Sequence, residues 1–170
     1  MNLGPLKGVY TLLIRIRERV EVEVGRLGRF SLEPGGYSYT GSAMGSGSAS
    51  LEGRIGRHLG RRARKFWHID HLLGSGGAEV IRVICAEADS RLECAVNEAI
   101  RRSMGGSAPI PKFGSSDCDC ASHLLRLPGS TGGMEEGVMR AYALLGLEPM
   151  RFKGAPPRPI SSRRHRRISL

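Results

Sequence analysis

The sequence predicts one α+β domain, an α/β arrangement in which a small, mainly antiparallel central sheet is flanked by helices. Three observations predict it. The first forty residues hold short β-branched and aromatic runs broken by turn residues at close spacing. Later segments change to a helical period, with Leu51, Ile55 and Leu59 at i, i+4 and i+8. The length, 170 residues, is that of one domain, and with 40% hydrophobic but only 5% aromatic residues its core should be aliphatic. The expected division is a domain over 1–150, with its core at 7–127 and a C-terminal helix after it, followed by a basic, disordered tail over 151–170.

In chain order, Val9–Ile16 reads as a strand, and Arg17-Glu18-Arg19 as a hairpin turn into Val20–Val24. In that second run valine alternates with glutamate, the period of a strand with one wet face. Gly25–Gly28 is a turn, Arg29–Leu32 a short strand, Pro34-Gly35-Gly36 a turn and Tyr37–Thr40 another strand, so residues up to 40 read as an antiparallel meander. Gly41–Ser50 is a Gly/Ser-rich loop, either a flexible linker or a backbone-rich cradle. Leu51–Arg64 is a helix and Phe66–Leu73 a shorter one. Ala78–Ala86, rich in Val and Ile, is a strand expected at the centre of the sheet. A helix capped by Asp89 or Ser90 runs to about Met104 and stops at Gly105-Gly106. Pro109–Cys120 is a loop, Ser122–Leu127 a strand or short helix, Gly129–Gly133 a turn and Glu135–Leu145 a helix. From Arg151 onward prolines, serines and a basic run offer little to bury.

Lys plus Arg number 26 against 16 acids, a formal net charge of +10, and only Lys7, Lys65, Lys112 and Lys153 are lysines. A small arginine-rich protein most often meets phosphates, usually those of nucleic acid. The basic residues concentrate on the Leu51–Arg64 helix and just after it: Arg54, Arg57, His58, Arg61, Arg62, Arg64 and Lys65, with Glu52 the one acid among them. That face is either solvated or an anion-binding surface, and the near absence of acids favours the second. No segment has the length of a membrane span and residues 1–7 lack the apolar stretch of a signal peptide, so a cytoplasmic protein without membrane contact is expected.

Two tripeptides, Gly8-Val9-Tyr10 and Tyr39-Thr40-Gly41, lie at strand ends about thirty residues apart. Taken alone, such tyrosines are ordinary half-buried strand residues. They are followed by Leu51–His58 (LEGRIGRH), which supplies Arg54 and His58, and by the helix LECAVNEAI, which supplies Glu93. In this order the segments resemble the GIY-YIG nuclease superfamily. The segments PGGYSYTGSA, FWHIDHLL and FGSSDCDCASHL bring the resemblance closest to its Uri-type endonuclease branch, and the likeness spans about residues 7–127.

The resemblance implies a metal-dependent endonuclease acting on DNA, with RNA an open alternative. It implies a single Mg²⁺ or Mn²⁺ held by Glu93, with Asp117 a possible second carboxylate. Tyr10 would take the proton of the attacking water, Arg54 would stabilise phosphoryl charge, and Tyr39 and His58 would hydrogen-bond phosphate or water. A phenol must have its pKa lowered from near 10 to serve as a base at neutral pH. Arg57, Arg61, Arg62, Arg64 and Lys65 would contact nucleic acid. The chain departs from the superfamily pattern in three places, the first being the spacer between the two tripeptides, which is enlarged by an extra hairpin. No asparagine follows Pro111, where Ser115, Ser116 and Asp117 are the substitutes on offer. Ser42 stands where a basic residue often follows the second tripeptide. The departures leave a catalytically weak or inactive nucleic-acid-binding module of the same fold as the first alternative. Read without the resemblance, Glu93 lies three residues after Ser90, which is capping-box spacing.

Cys118, Cys120 and His123 form a separate cluster. With reduced cysteines expected, they are either packing residues or part of a zinc site, for which His68 or His71 could give a fourth ligand. A zinc-stabilised RNA-processing or interaction protein is the second alternative.

Overall fold

The computed structural model describes residues 6–60 and 64–153. The strands are β1 (Gly8–Ile16), β2 (Val20–Val24), β3 (Gly28–Leu32), β4 (Gly35–Ala43), β5 (Ala78–Glu87), β6 (Leu124–Leu127) and β7 (Met150–Arg151). The helices are α1 (Leu51–Leu59), α2 (His68–Leu73), α3 (Glu93–Met104) and α4 (Thr131–Leu144). Five strands form an antiparallel sheet in the order β6-β4-β1-β5-β7, and β2 and β3 make a separate hairpin. The mainly antiparallel α+β fold predicted from the sequence is the fold observed.

The meander is corrected. β1 does not pair with β2; it pairs with β4 on one side and β5 on the other. The reason lies in β1 itself, whose residues are buried on both faces except Arg15. A strand apolar on both faces belongs in the middle of a sheet with layers above and below it. β2, buried only at its valines, has one dry face and packs as a ribbon against the same core. β1 therefore takes the central place expected of β5.

Even-numbered residues of β1 (Tyr10, Leu12, Ile14, Ile16) face a core completed by the hairpin, by Leu51 and Ile55 of α1 and by Ile69 and Leu72 of α2. Odd-numbered Val9 and Leu13 face the other layer, with Val96 and Ile100 of α3 and Met134, Val138 and Tyr142 of α4. Thr11, Thr40 and Tyr142 are fully buried between these layers and satisfy one another, with Thr11 Oγ1 3.0 Å from Thr40 Oγ1 and 2.9 Å from the Tyr142 hydroxyl.

Several boundaries shift for local reasons. β4 runs through Gly35-Gly36 and on to Ala43, because Gly36 and Gly41 take strand positions opposite Arg15 and Tyr10. α1 begins where the Ser50 hydroxyl accepts a hydrogen bond from the Gly53 N–H, and it ends at Leu59. α4 starts four residues earlier than expected, since Ser130 caps it in the same way and draws Gly132 and Gly133 into the first turn. Ser122–Leu127 resolves as a strand at Leu124–Leu127. The tail begins later than 151: Met150 and Arg151 pair with Cys85 and Ile84, Phe152 N–H donates to the Val83 carbonyl, and Arg151 and Arg82 both meet Glu135. The expected disorder over 154–170 lies outside the described residues. No helix among the described residues is long and apolar enough to cross a membrane.

Candidate functional site

Pairing with β6 covers β4 only from Gly36 to Tyr39. One further bond, from the Thr40 N–H to the His123 carbonyl, ends the cover. At this open end of the β4 edge lies a cleft of about 290 Å³. Its lining brings together Tyr10, Tyr39, Gly41 and Ser42 of β1 and β4, Arg54 of α1 with Trp67, and Arg91, Glu93, Ser116 and Asp117. The two tripeptides, the α1 arginine and the α3 glutamate thus converge, although they are spread over more than eighty residues of sequence.

Two glycines of the tripeptides are required by close approach. A Cβ on Gly41 would stand 2.6 Å from the Tyr10 hydroxyl oxygen, which lies across the β4 backbone. A Cβ on Gly8 would meet the Ala86 carbonyl oxygen of β5 at 2.0 Å. Both distances are below any real carbon contact, so the glycines let β1 sit flush between its neighbours with the phenol folded onto β4.

The Tyr10 hydroxyl is 2.8 Å from His58 Nε2. On the far side of the ring, His58 Nδ1 is 4.0 Å from Asp70 Oδ1, a charge contact rather than a hydrogen bond. A carboxylate there favours the proton on Nδ1, which leaves Nε2 to accept from Tyr10. Burial lowers His58 to about 4, against the pull of Asp70, so the imidazole is neutral at pH 7. Burial likewise pushes Tyr10 up, opposed in part by the Arg54 guanidinium, and pushes Tyr39 well up. Tyr10 is 2% exposed and desolvation outweighs its single cationic neighbour, so the protein's own groups alone do not lower the phenol as expected.

Asp70 is the hub of these contacts. Burial alone would raise its carboxyl, but the Trp67 and Phe66 N–H groups and Arg57 outweigh that and hold it below the usual range. Its Oδ2 accepts from those two N–H groups at 2.8 and 2.9 Å and from the Arg57 guanidinium at 2.9 Å. Arg57 also donates to the Arg64 carbonyl and lies 4.7 Å over the Trp67 ring. Arg57, expected as a nucleic-acid contact, is thus an internal clasp whose charge Asp70 offsets. Arg64 and Lys65 are exposed beside it, and Arg61 and Arg62 lie outside the described residues. Arg54 lies 4.9 Å over the same tryptophan from the cleft side, with its Nε buried and unbonded.

Glu93 does not cap a helix with Ser90. It is the first residue of α3, its N-cap position is Leu92, and its carboxylate accepts a hydrogen bond from the Ser42 hydroxyl. Arg91 lies 3.7 Å from Glu93 and 3.7 Å from Asp117, joining the two carboxylates through one exposed guanidinium. Of the residues offered in place of the asparagine, Ser116 and Asp117 line the cleft, whereas Ser115 is fully buried with its hydroxyl unbonded.

Cys118, Cys120 and His123 do come together, but their fourth companion is Cys94 of α3 and neither His68 nor His71. The four donor atoms all lie within 4.8 Å of one another. His68 Nδ1 instead accepts the Gly114 N–H at 2.8 Å. Burial, with the adjacent Cys120 and Cys118, pushes the Cys94 thiol up. Three sulfurs and an imidazole nitrogen could bind a metal ion, and that donor set suits zinc and not magnesium.

Sequence reasoning missed Ser42, Arg91 and Cys94 as site residues. Ser42 had the signal of following the second tripeptide, and Cys94 that of following Glu93 while standing off the apolar stripe Val96–Ile100. Arg91 gave none, since its role comes from contacts across the fold.

The chain belongs to the family described as domain of unknown function DUF123, which matches residues 9–143. No curated protein and no solved structure matches it.

Proposed function

We propose that the protein is a metal-dependent endonuclease that hydrolyses phosphodiester bonds in DNA, built on the GIY-YIG plan. The observation that carries this reading is the convergence of Tyr10, Tyr39, Arg54 and Glu93 on one cleft beside exposed cations. Glu93, with the Ser42 hydroxyl against it and Asp117 across Arg91, is an all-oxygen donor set that fits Mg²⁺ or Mn²⁺. When bound, such an ion supplies charge relief at a phosphoryl oxygen and lowers the pKa of water.

The chain's own residues have distinct tasks. Arg54, pinned on Trp67, offers a guanidinium fork to two phosphate oxygens. His58 Nε2 is placed to take the Tyr10 proton, and Asp70 stabilises the imidazolium that results. The phenolate then accepts the proton of the attacking water. With the protein's own groups alone, both pKa shifts oppose that transfer. A cation on Glu93 favours it, because Glu93 is among the charges that raise Tyr10. Phe66, 77% exposed and edge-on to Trp67, gives the cleft rim a stacking surface for a base.

The test is plasmid nicking by the purified chain in Mg²⁺, with Glu93→Ala and Tyr10→Phe as variants and an RNA substrate in parallel. Nicking that requires both residues supports the reading; nicking that survives Glu93→Ala sinks it. The burial of Tyr10 favours a second reading, a module that binds nucleic acid without cutting it, and binding without cleavage in any divalent ion would select that one.

A further inference from the structure

We propose that Cys94, Cys118, Cys120 and His123 hold a structural zinc ion in a closed tetrahedral site, which clamps the 109–121 loop onto the first turn of α3. Zinc–sulfur and zinc–nitrogen bonds of about 2.3 and 2.05 Å at the tetrahedral angle set a sulfur–nitrogen edge of about 3.6 Å. Cys94 Sγ and Cys118 Sγ each lie 3.6 Å from His123 Nε2. The widest separation in the set is under 4.8 Å, so closing every edge to about 3.6–3.8 Å moves a donor by about 1 Å at most. Four ligands leave no open coordination position, the mark of a structural rather than a catalytic site.

The surroundings match that use. His123 is 3% exposed, and two of the sulfurs face its Nε2. Three thiolates and a neutral imidazole around Zn²⁺ carry a net charge of −1. The Lys112 ammonium stands beside them, donating to the Cys118 and Cys120 carbonyls at 2.9 and 3.2 Å. Phe113 and Ser115 are the loop's buried residues after Ile110, and the sulfur-bearing turn is otherwise half-exposed or exposed.

The clamp also explains where the cleft's carboxylates sit. Glu93 immediately precedes Cys94, and Asp117 immediately precedes Cys118. Fixing the two sulfurs to one ion fixes the backbone that carries both acids, and His123 ties the same ion to β4 through its carbonyl bond to Thr40. The zinc site stands apart from the hydrolytic reading, since neither its ligands nor its tests involve phosphodiester cleavage.

The experiment is metal analysis of the full chain purified without chelator, followed by exchange into Co²⁺. Stoichiometric zinc is expected, with the intense visible bands and sulfur-to-cobalt charge transfer of a tetrahedral thiolate site. Three of the four thiols should resist a thiol reagent until a strong chelator is added, with Cys85 distinguished by its place in the sheet core. The Cys118→Ser/Cys120→Ser pair should lose stoichiometric zinc, while Cys94→Ser should weaken and shift the cobalt bands. A folded wild-type chain that holds no zinc and gives no tetrahedral cobalt spectrum overturns the proposal. So does a disulfide between any two of Cys94, Cys118 and Cys120 in the freshly isolated protein. The wild-type measurements decide the matter even if the variants do not fold.

Discussion

His58 should make the fold measurably sensitive to mild acid. The imidazole is enclosed by Tyr10, Tyr39 and Trp67, with Asp70, Arg57 and Arg54 as its charged neighbours, and it is lowered to about 4 from 6.5. Between those values the unfolded chain binds a proton that the folded chain refuses, so stability rises with pH there and falls as pH drops. Its contribution is fully present above the unfolded value of 6.5 and is lost as pH approaches the folded value. Integrating from pH 7 to pH 5 gives a loss of about 2 kcal/mol from this one residue. Urea unfolding at the two pH values measures it, compared with His58→Gln, which has no proton to gain. Other lowered histidines, His68 and His123, contribute equally to both proteins and cancel in the comparison. The variant should be less stable at pH 7 yet lose about 2 kcal/mol less on acidification. Equal losses in the two proteins would refute a buried neutral His58, and with it the direction of the Tyr10 hydrogen bond.

Three further outcomes follow from named contacts. Gly41→Ala should lower stability by about 1–3 kcal/mol, the usual cost of forcing an atom into a filled site, because its Cβ meets the Tyr10 hydroxyl and ring; an unchanged urea midpoint would contradict the close approach. Asp70→Asn should cost about 2–3 kcal/mol, below the range for a fully buried pair because Arg57 is 30% exposed; thermal unfolding would register it, and a neutral result would remove Asp70 from its place as hub. Phe66→Ala should weaken binding of single-stranded DNA by about tenfold, near the lower end for losing one base stack, while leaving the melting temperature within error. Fluorescence anisotropy with a short labelled oligonucleotide tests it, and an unchanged affinity would take Phe66 out of the binding surface.

The strands and helices of this fold were legible wherever a local signal settled them. Ser50 to Leu59 announces a helix by its apolar spacing, and β5 by its unbroken Val and Ile. What could not be read locally was partnership. The run Val20–Val24 has the same period whether it pairs with β1 or with β3, and Arg17-Glu18-Arg19 makes as good a linker as a turn. The discriminating fact was already in β1: nine residues with one exposed side chain need strands on both edges and layers on both faces, which a terminal hairpin cannot give. Glu93 was ambiguous for a related reason. Its spacing from Ser90 is that of a capping box, but α3 begins two residues later than that cap requires, so the carboxylate turns to Ser42 instead.

The cleft carries this further, because its chemistry depends on which groups are left without a local partner. Arg57 and Arg54 lie on one helix three residues apart and stack on one tryptophan, yet only Arg57 is neutralised, by Asp70. Helical position could not separate them; the location of Asp70 behind Trp67 does. Arg54 is thereby left with its charge open toward Tyr10 and Glu93 in the cleft, and under the proposed reading it would supply the positive charge that a phosphate meets there. Arg91 supplies the complementary restraint at the carboxylates. Because it lies 3.7 Å from both Glu93 and Asp117, a divalent ion held as proposed would have to displace an exposed guanidinium to reach the carboxylates. If the proposed cation binds at Glu93, an Arg91→Ala chain should bind it more tightly and bind nucleic acid more weakly. A titration of Mg²⁺ or Mn²⁺ that shows the half-saturating concentration unchanged in that variant would mean that Arg91 does not guard the site.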